Sequence, residues 1–518
     1  MQNLAEMLKE SARHFPGKPA IVLSSGEEIT YQYLDQMVDS AACSLRLKAG
    51  ETVILMEPNS VDFIINAFAI ARSGGIIVPV NPLYKREEVS RILQASGAKQ
   101  MIVWQDRMPD LSDLAGNLTF HLRDLSTDAY TVRLDYQAPK VLPKNIVSMM
   151  FTTGTTGQPK AIPLLHEGFL AMKDKCAKII PEMHLRVFSC FLPLTHVFGF
   201  TVNMVLPIAY GATILLSETF SLQALEKILG QLIRGQASLI TGVPVIYQAL
   251  AAALKKTNAQ LNPQAICING GDYLPPHIWR FFYDATGQKI CTGYGLTETH
   301  SIVCFLEEDE MTDHLLLVPR WTTCVGKPII ATKIIGLRDP YGSVKQAWKR
   351  LPIGKEGEIC FSTKDPCVCK GYLGDQAANE WCFSNHWFAT GDVGYLDMKG
   401  NLYVTDRVKD IIIVSAANVS PREIEDVTLE FPDPADPAFS QAAAIGVPDP
   451  DKKRGQVIRL YVVPRPGKSF KEGDLRAFMR IRLHDSKIPH QIEMRETLPV
   501  VGLNKVDKRT LRAEIEQS

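Results

Sequence analysis

Segments in which apolar residues recur at helical spacing alternate with short continuous apolar runs along most of this chain. ETVILMEPN (51–59) and GGIIVPVNP (74–82) read as strands, whereas VDFIINAFAIAR (61–72) and KREEVSRILQAS (85–96) read as helices, the second with its charges on one side. Such alternation predicts an α/β core. NIVSMM (145–150) and AIPLL (161–165) read as two more strands, with a loop rich in glycine and threonine between them. Beyond Val404 the pattern changes to the charged TDRVKD, the apolar run IIIV and then SPREIE. Here Ser420 can cap a helix, Pro421 suits its first position, and Glu423 can reach back to close a capping box. The expected organisation is a large N-terminal α/β domain of several subdomains over residues 1–405, followed by a small α+β C-terminal domain over residues 406–518.

Composition narrows the class. At 518 residues the chain exceeds what one hydrophobic core serves, and its 46% hydrophobic content is ample for burial. The 56 basic and 56 acidic residues balance, which argues against nucleic acid or an anionic membrane as the main partner. The opening stretch lacks the charged-then-apolar form of a signal segment, and no apolar run is long enough to span a bilayer, so a cytoplasmic protein is expected. Eleven cysteines, an odd number scattered from Cys43 to Cys382, fit reduced thiols better than a disulfide framework. Cys360, Cys367 and Cys369 are the closest group, and their spacing fits no zinc pattern.

Four stretches carry candidate chemistry. In FTTGTTGQPK, Gly154 and Gly157 let backbone N–H groups approach a ligand, Thr152, Thr153, Thr155 and Thr156 add hydroxyls, and Lys160 adds charge. The loop suits a phosphate or serves as a hydroxyl-rich turn, and its spacing is not that of a Walker loop. CTGYGLTETHS sets Tyr294, Thr297 and Glu298 beside glycines; Glu298 with substrate oxygens could hold magnesium, or Thr and Glu could cap a helix. FATGDVGYLD places Asp392 between glycines, where it could accept from ribose hydroxyls or stabilise a turn. FLPLTHVFGF surrounds His196 with apolar and aromatic residues, which suits a core histidine as well as a functional one.

Taken in order, TTGTTGQPK, LPLTHVFGF, NGGDYL, GYGLTE, TGDVGYLD, DRVKDIIIVSAANVSPREIE and LPVVGLNKVDKR resemble the successive motifs of the adenylate-forming superfamily, which includes acyl-CoA synthetases, adenylation domains and luciferases. The resemblance covers nearly the whole chain. It implies an enzyme that joins a carboxylate to the α-phosphate of ATP, releasing pyrophosphate, and then passes the acyl group from acyl-AMP to a thiol, releasing AMP. It further implies that residues 152–160 grip the β- and γ-phosphates, that Thr297 and Glu298 serve the α-phosphate and Mg2+, and that Asp392 and Arg407 hold the ribose. Gly270, Gly271, Asp272, Tyr273 and Tyr294 would wall the adenine pocket, Gly295 would also contact the nucleotide, and His196 would lie near the carboxylate and the thiol channel. Lys505 matches the lysine that the small domain swings into the site, and Asp406 the hinge about which that domain turns. Val197, Val243, Tyr247 and Thr299 are expected to line the acyl pocket.

The chain departs from the family pattern at Ala161, where the phosphate loop usually has glycine after its lysine, at Ala416, and at Gly502, which is displaced from its usual place before Lys505. Adenylation domains for amino acids usually carry an aspartate near the position of His196 to pair with the ammonium group. Its absence favours a non-amino carboxylic acid, fatty or aryl. The acceptor is expected to be the pantetheine thiol of CoA, with a separate carrier protein, or an adenylate used without thioester formation, as alternatives.

Overall fold

The computed structural model describes residues 3–111, 119–122, 129–133, 145–153, 159–180, 182–306, 323–338, 348–414, 417–434, 436–450, 456–501 and 505–516. Both strand readings near the N-terminus hold, over Thr52–Met56 and Ile76–Pro79, which pair in parallel. Every residue of these two strands is buried, as continuous apolar runs in a parallel sheet require. The helix Val61–Arg72 starts where the Ser60 hydroxyl accepts from the Phe63 N–H at 3.0 Å, and it is buried from Phe63 to Ala71. By contrast, the helix Arg86–Ser96 buries only Val89, Ile92 and Ser96, so its charges face outward; Gly97, at φ +62°, ends it.

Three sheets build the large domain. A seven-stranded sheet contains Thr52–Met56, Ile76–Pro79 and, at one edge, the antiparallel pair Ile146–Thr153 and Pro159–Leu165. A nine-stranded sheet runs through Val187–Cys190, Leu239–Gly242, Ile266–Asn269 and Ile290–Leu296, which are parallel to one another, and then turns antiparallel at Ser301–Phe305. The third sheet has six strands and is antiparallel, with Gly357–Ser362, Trp387–Leu396 and Leu402–Arg407 as successive neighbours.

The small domain folds on its own sheet of Phe439–Pro448, Gln456–Pro464 and Gln491–Met494, packed with the helix Pro421–Leu429. Its apolar cluster begins at Ile412, whereas the large domain's cluster ends at Val404, so the change of core falls between these two residues.

One local expectation is corrected here. Pro421 does open the helix Pro421–Leu429, but the Ser420 side chain does not cap it. Asp406 takes that role: its Oδ2 accepts from the Ser420 hydroxyl and from the Arg422 N–H, the latter at 3.3 Å. Glu423 is drawn instead to Lys487, 2.6 Å away, rather than closing a capping box. A buried carboxylate distant in sequence thus outcompetes a local hydroxyl for the helix's free N–H groups.

Candidate active site

The phosphate-loop motif lies at a hairpin. Thr152 faces Lys160 and Thr153 faces Pro159 across the pair, which brings the ends of the intervening loop together. Gly154, Thr155, Thr156 and Gly157 fall outside the described residues. Ala161, the first departure from the family pattern, is buried, and its carbonyl accepts from the Leu373 N–H at 2.9 Å. Its methyl group therefore packs into the core.

Lys160 Nζ lies 4.7 Å from the centre of the Tyr372 ring. The hydroxyl of that same tyrosine donates to Glu298 Oε1 at 2.9 Å. Tyr372 thus joins the lysine and the carboxylate, two groups that the sequence alone leaves unconnected. Glu298 stands in the short turn Thr297–Thr299, after the strand Ile290–Leu296. Burial raises its pKa, while the backbone at its own position, Tyr372 and Lys160 pull the other way. Among the described residues no group of three or more His, Cys, Asp or Glu side chains could hold a metal alone. A single carboxylate linked through Tyr372 to Lys160 would fit magnesium that takes its other ligands from phosphate oxygens and water.

Asp392 is the second centre. Tyr294 donates to its Oδ2 at 2.6 Å, and Arg407 Nε lies 3.4 Å from its Oδ1. Asp392 and Arg407 are direct partners across the strands Trp387–Leu396 and Leu402–Arg407. The strand segment that carries Asp392 is held from behind: the Gly391 N–H, at φ +77°, donates to Glu358 Oε1 at 3.1 Å. Glu358 in turn receives Arg338 Nε and Nη2, both at 2.6 Å, with both side chains buried. Trp348 and Trp381 flank the guanidinium at 5.0 and 4.7 Å.

The adenine-wall candidates meet this centre. Gly271 turns at φ +76°, Asn269 Nδ2 donates to the Asp272 carbonyl at 2.9 Å, and the Tyr273 N–H donates to Asp272 Oδ1 at 2.9 Å. A Cβ on Gly270 would stand 2.9 Å from the Phe198 ring, so this glycine lets the His196 segment approach. At Gly295 a Cβ would come within 1.6 Å of the Ser301 carbonyl oxygen, which leaves room for glycine alone.

His196 is accessible, yet it is surrounded by enough protein that desolvation lowers its pKa. The Phe198 N–H donates to its Nδ1 at 3.3 Å, which places the proton of the neutral ring on Nε2. The following Gly199–Val205 forms a π-helix, and a Cβ on Gly199 would meet the Pro193 carbonyl oxygen at 2.3 Å.

The acyl-pocket candidates divide. Val197 and Val243 are nearly buried at the edge of this region. Tyr247 and Thr299 have no exposed surface: the Tyr247 hydroxyl donates to the Ile240 carbonyl at 2.9 Å, and that of Thr299 is engaged by Leu296 and Ser301. Both act here as parts of the core rather than as walls of an open cavity. Lys505 lies in the strand Lys505–Val506, opposite Val501; its side chain, and residues Ala416 and Gly502, lie outside the described residues. Cys360, Cys367 and Cys369 are buried free thiols, all with raised pKa through desolvation. No described helix is long and apolar enough to cross a membrane.

Comparison with known proteins matches residues 8–373 to the AMP-binding enzyme family and residues 423–505 to the AMP-binding enzyme C-terminal domain. A long-chain-fatty-acid–CoA ligase of Escherichia coli is 29% identical, covering 99% of this chain and 94% of its own length. A feruloyl-CoA synthase of an Amycolatopsis species is also 29% identical, covering 99% of both. Among solved structures, ATP-bound MatB from Rhodopseudomonas palustris superposes with a TM-score of 0.82 at 23% identity, covering 99% of each chain. The amide bond synthetase McbA from Marinactinospora thermotolerans gives 0.81 at 25% identity, again over 99% of each. The chain belongs to the AMP-binding enzymes of the adenylate-forming superfamily.

Proposed function

We propose that this AMP-forming ligase activates a non-amino carboxylic acid, fatty or aryl, with ATP and transfers the acyl group to CoA. The observation that carries the reading is the joining of Tyr294 and Arg407 on Asp392, in the same turn-and-strand system that links Glu298 to Lys160 through Tyr372. Asp392 would accept from the two ribose hydroxyls, with Tyr294 against the base, while Lys160 and Glu298 take the phosphate end. The acid class is supported by the fatty and aryl acids in the names of the relatives. It is supported too by His196, which offers no negative charge to an ammonium group.

In the first step, a carboxylate oxygen of the acid forms a bond to the α-phosphorus as the bond to pyrophosphate breaks. Negative charge grows on the phosphoryl oxygens, and Lys505, carried in by the small domain, would stabilise it more in the transition state than in the ground state. Losing one such donor costs about a hundred- to a thousandfold in rate. Mg2+ at Glu298, when bound, neutralises part of the phosphate charge. In the second step, the CoA thiolate attacks the acyl carbon and AMP leaves. His196, neutral and accessible, would hold the acyl end of the adenylate at the mouth of the thiol channel, and Asp406 would serve as the pivot between the two poses. The proposed compartment is the cytoplasm, which eleven cysteines with no disulfide among them suit.

ATP-pyrophosphate exchange across aryl, short-, medium- and long-chain acids, followed by AMP release with and without CoA, tests this reading. Exchange with one acid class and AMP release stimulated by CoA are expected. Exchange without CoA stimulation would point to a carrier protein or to an adenylate used without a thioester, and exchange only with amino acids would overturn the acid class.

A further inference from the structure

The two domains meet at a contact centred on Tyr273. Its hydroxyl donates to Asp426 Oδ2 at 2.7 Å, and the Arg422 guanidinium lies over its ring, 4.4 Å from the centre. Arg422 and Asp426 are four residues apart on the helix Pro421–Leu429, so they project from one face and hold the ring from above and from its hydroxyl end. Tyr273 belongs to the large domain and follows the Gly270–Gly271 turn, whereas both of its partners belong to the small one.

The same helix is tied to Asp406. The Arg422 backbone N–H donates to Asp406 Oδ2 at 3.3 Å, and the Ser420 hydroxyl donates to the same oxygen. Asp406 itself sits in the strand Leu402–Arg407, opposite Val393, one step from the Asp392 and Arg407 pair. Arg422 therefore reaches the strand with its backbone and the adenine-wall segment with its side chain. A turn of the small domain about Asp406 would leave Tyr273 behind and carry Asp426 away.

We propose that Tyr273 is a positioning residue that latches the small domain in one of its poses, its bond to Asp426 having to break before the domain can turn. The proposal rests on the two-step reading above, in which a different pose serves each half-reaction. It assigns Tyr273 a role beyond contact with the base: the strength of its hold sets how the enzyme's time is divided between adenylation and thioester formation. A tyrosine suits this role. Its backbone follows the turn that would face the nucleotide, while its hydroxyl and π-face engage the opposite domain.

The test compares Tyr273→Phe, Asp426→Asn and the double variant in the full-length protein. Two rates are measured: ATP-pyrophosphate exchange, and thioester formation from preformed acyl-AMP and CoA. Loss of one hydrogen bond should change the ratio of these rates by about threefold to tenfold. Both single variants should move it in the same direction, and the double variant no further than either single one. A pure base-contact role for Tyr273 would instead raise the KM for ATP and leave the ratio untouched in Asp426→Asn, which would overturn the latch. Amide hydrogen exchange without substrates separates this outcome from failure of the catalytic reading. Tyr273→Phe should speed exchange at the start of the helix Pro421–Leu429, whatever acid the enzyme uses, and unchanged exchange there would also sink the proposal.

Discussion

Tyr294 donates its hydroxyl to Asp392 at 2.6 Å across 98 positions of sequence, so a residue of the proposed adenine wall directly orients the carboxylate proposed to hold the ribose. Burial together with the neighbouring Asp392 charge drives the Tyr294 pKa upward, so the phenol stays a donor across the working pH range. Asp392→Ala is expected to weaken ATP binding about ten- to a hundredfold, the range for losing hydrogen bonds to a charged acceptor. Tyr294→Phe should cost less, because Arg407 still holds the other oxygen. Calorimetric titration with ATP checks both, and an equal loss in the two variants would contradict this ordering.

Tyr372 separates two roles that one substitution can split. Tyr372→Phe keeps the ring beneath Lys160 but removes the donor to Glu298, so the magnesium concentration for half-maximal pyrophosphate exchange should rise about fivefold. Tyr372→Leu removes the ring as well and should also lower the rate at saturating magnesium. Identical profiles for Phe and Leu would show that the cation–π contact contributes nothing.

The buried pair of Arg338 and Glu358 supports the strand segment of Asp392 through Gly391. Arg338→Met leaves a buried carboxylate unpaired and should destabilise the protein by about 3–5 kcal/mol. Adding Glu358→Leu removes that uncompensated charge, so the double variant should regain stability in denaturant unfolding while still binding ATP more weakly than the parent. A double variant less stable than Arg338→Met alone would show that this account of the pair is wrong.

His300 gives a pH signature. It is fully buried, its Nε2 accepts from the Leu165 N–H at 3.0 Å, and its Nδ1 lies 2.7 Å from the Cys367 carbonyl. Desolvation lowers its pKa to about 4 from an ordinary 6.5. Between these values the unfolded chain binds the proton and the folded one does not, so stability should fall as pH drops through 6.5 and keep falling to about 4. Thermal unfolding across this window should be flatter in His300→Gln. Gly168→Ala should destabilise at every pH, since its Cβ would stand 2.2 Å from the same ring.

The ordered motifs place Lys160, Glu298, Asp392, Arg407 and Asp406 in the sequence, and the helical and strand periods of the first hundred residues translate directly into elements. The supports behind these residues are not legible in the same way. Tyr372 reaches Glu298 over 74 positions, and Arg338 reaches Glu358 from a neighbouring segment of the same sheet system; only the folded pairing brings them together. Local chemistry also misleads where a distant partner is stronger. Ser420 has every feature of a cap, yet Asp406 supplies it, because a buried carboxylate needs donors and the helix start offers them. Tyr247 and Thr299 read as pocket residues in the sequence, but the folded chain buries both side chains and engages their hydroxyls with the Ile240 and Ser301 carbonyls.

The pairing of Asp392 with Arg407 and of Val393 with Asp406 places the proposed ribose clasp and the proposed pivot on one β-ladder. A nucleotide that closes the clasp also braces the rungs next to the pivot, so its binding free energy must appear as slower opening of those amides. Occupancy of the site would then be readable, without turnover, as protection of residues 391–394 and 404–407 from solvent deuterium: the ladder would report the ligand it helps to hold.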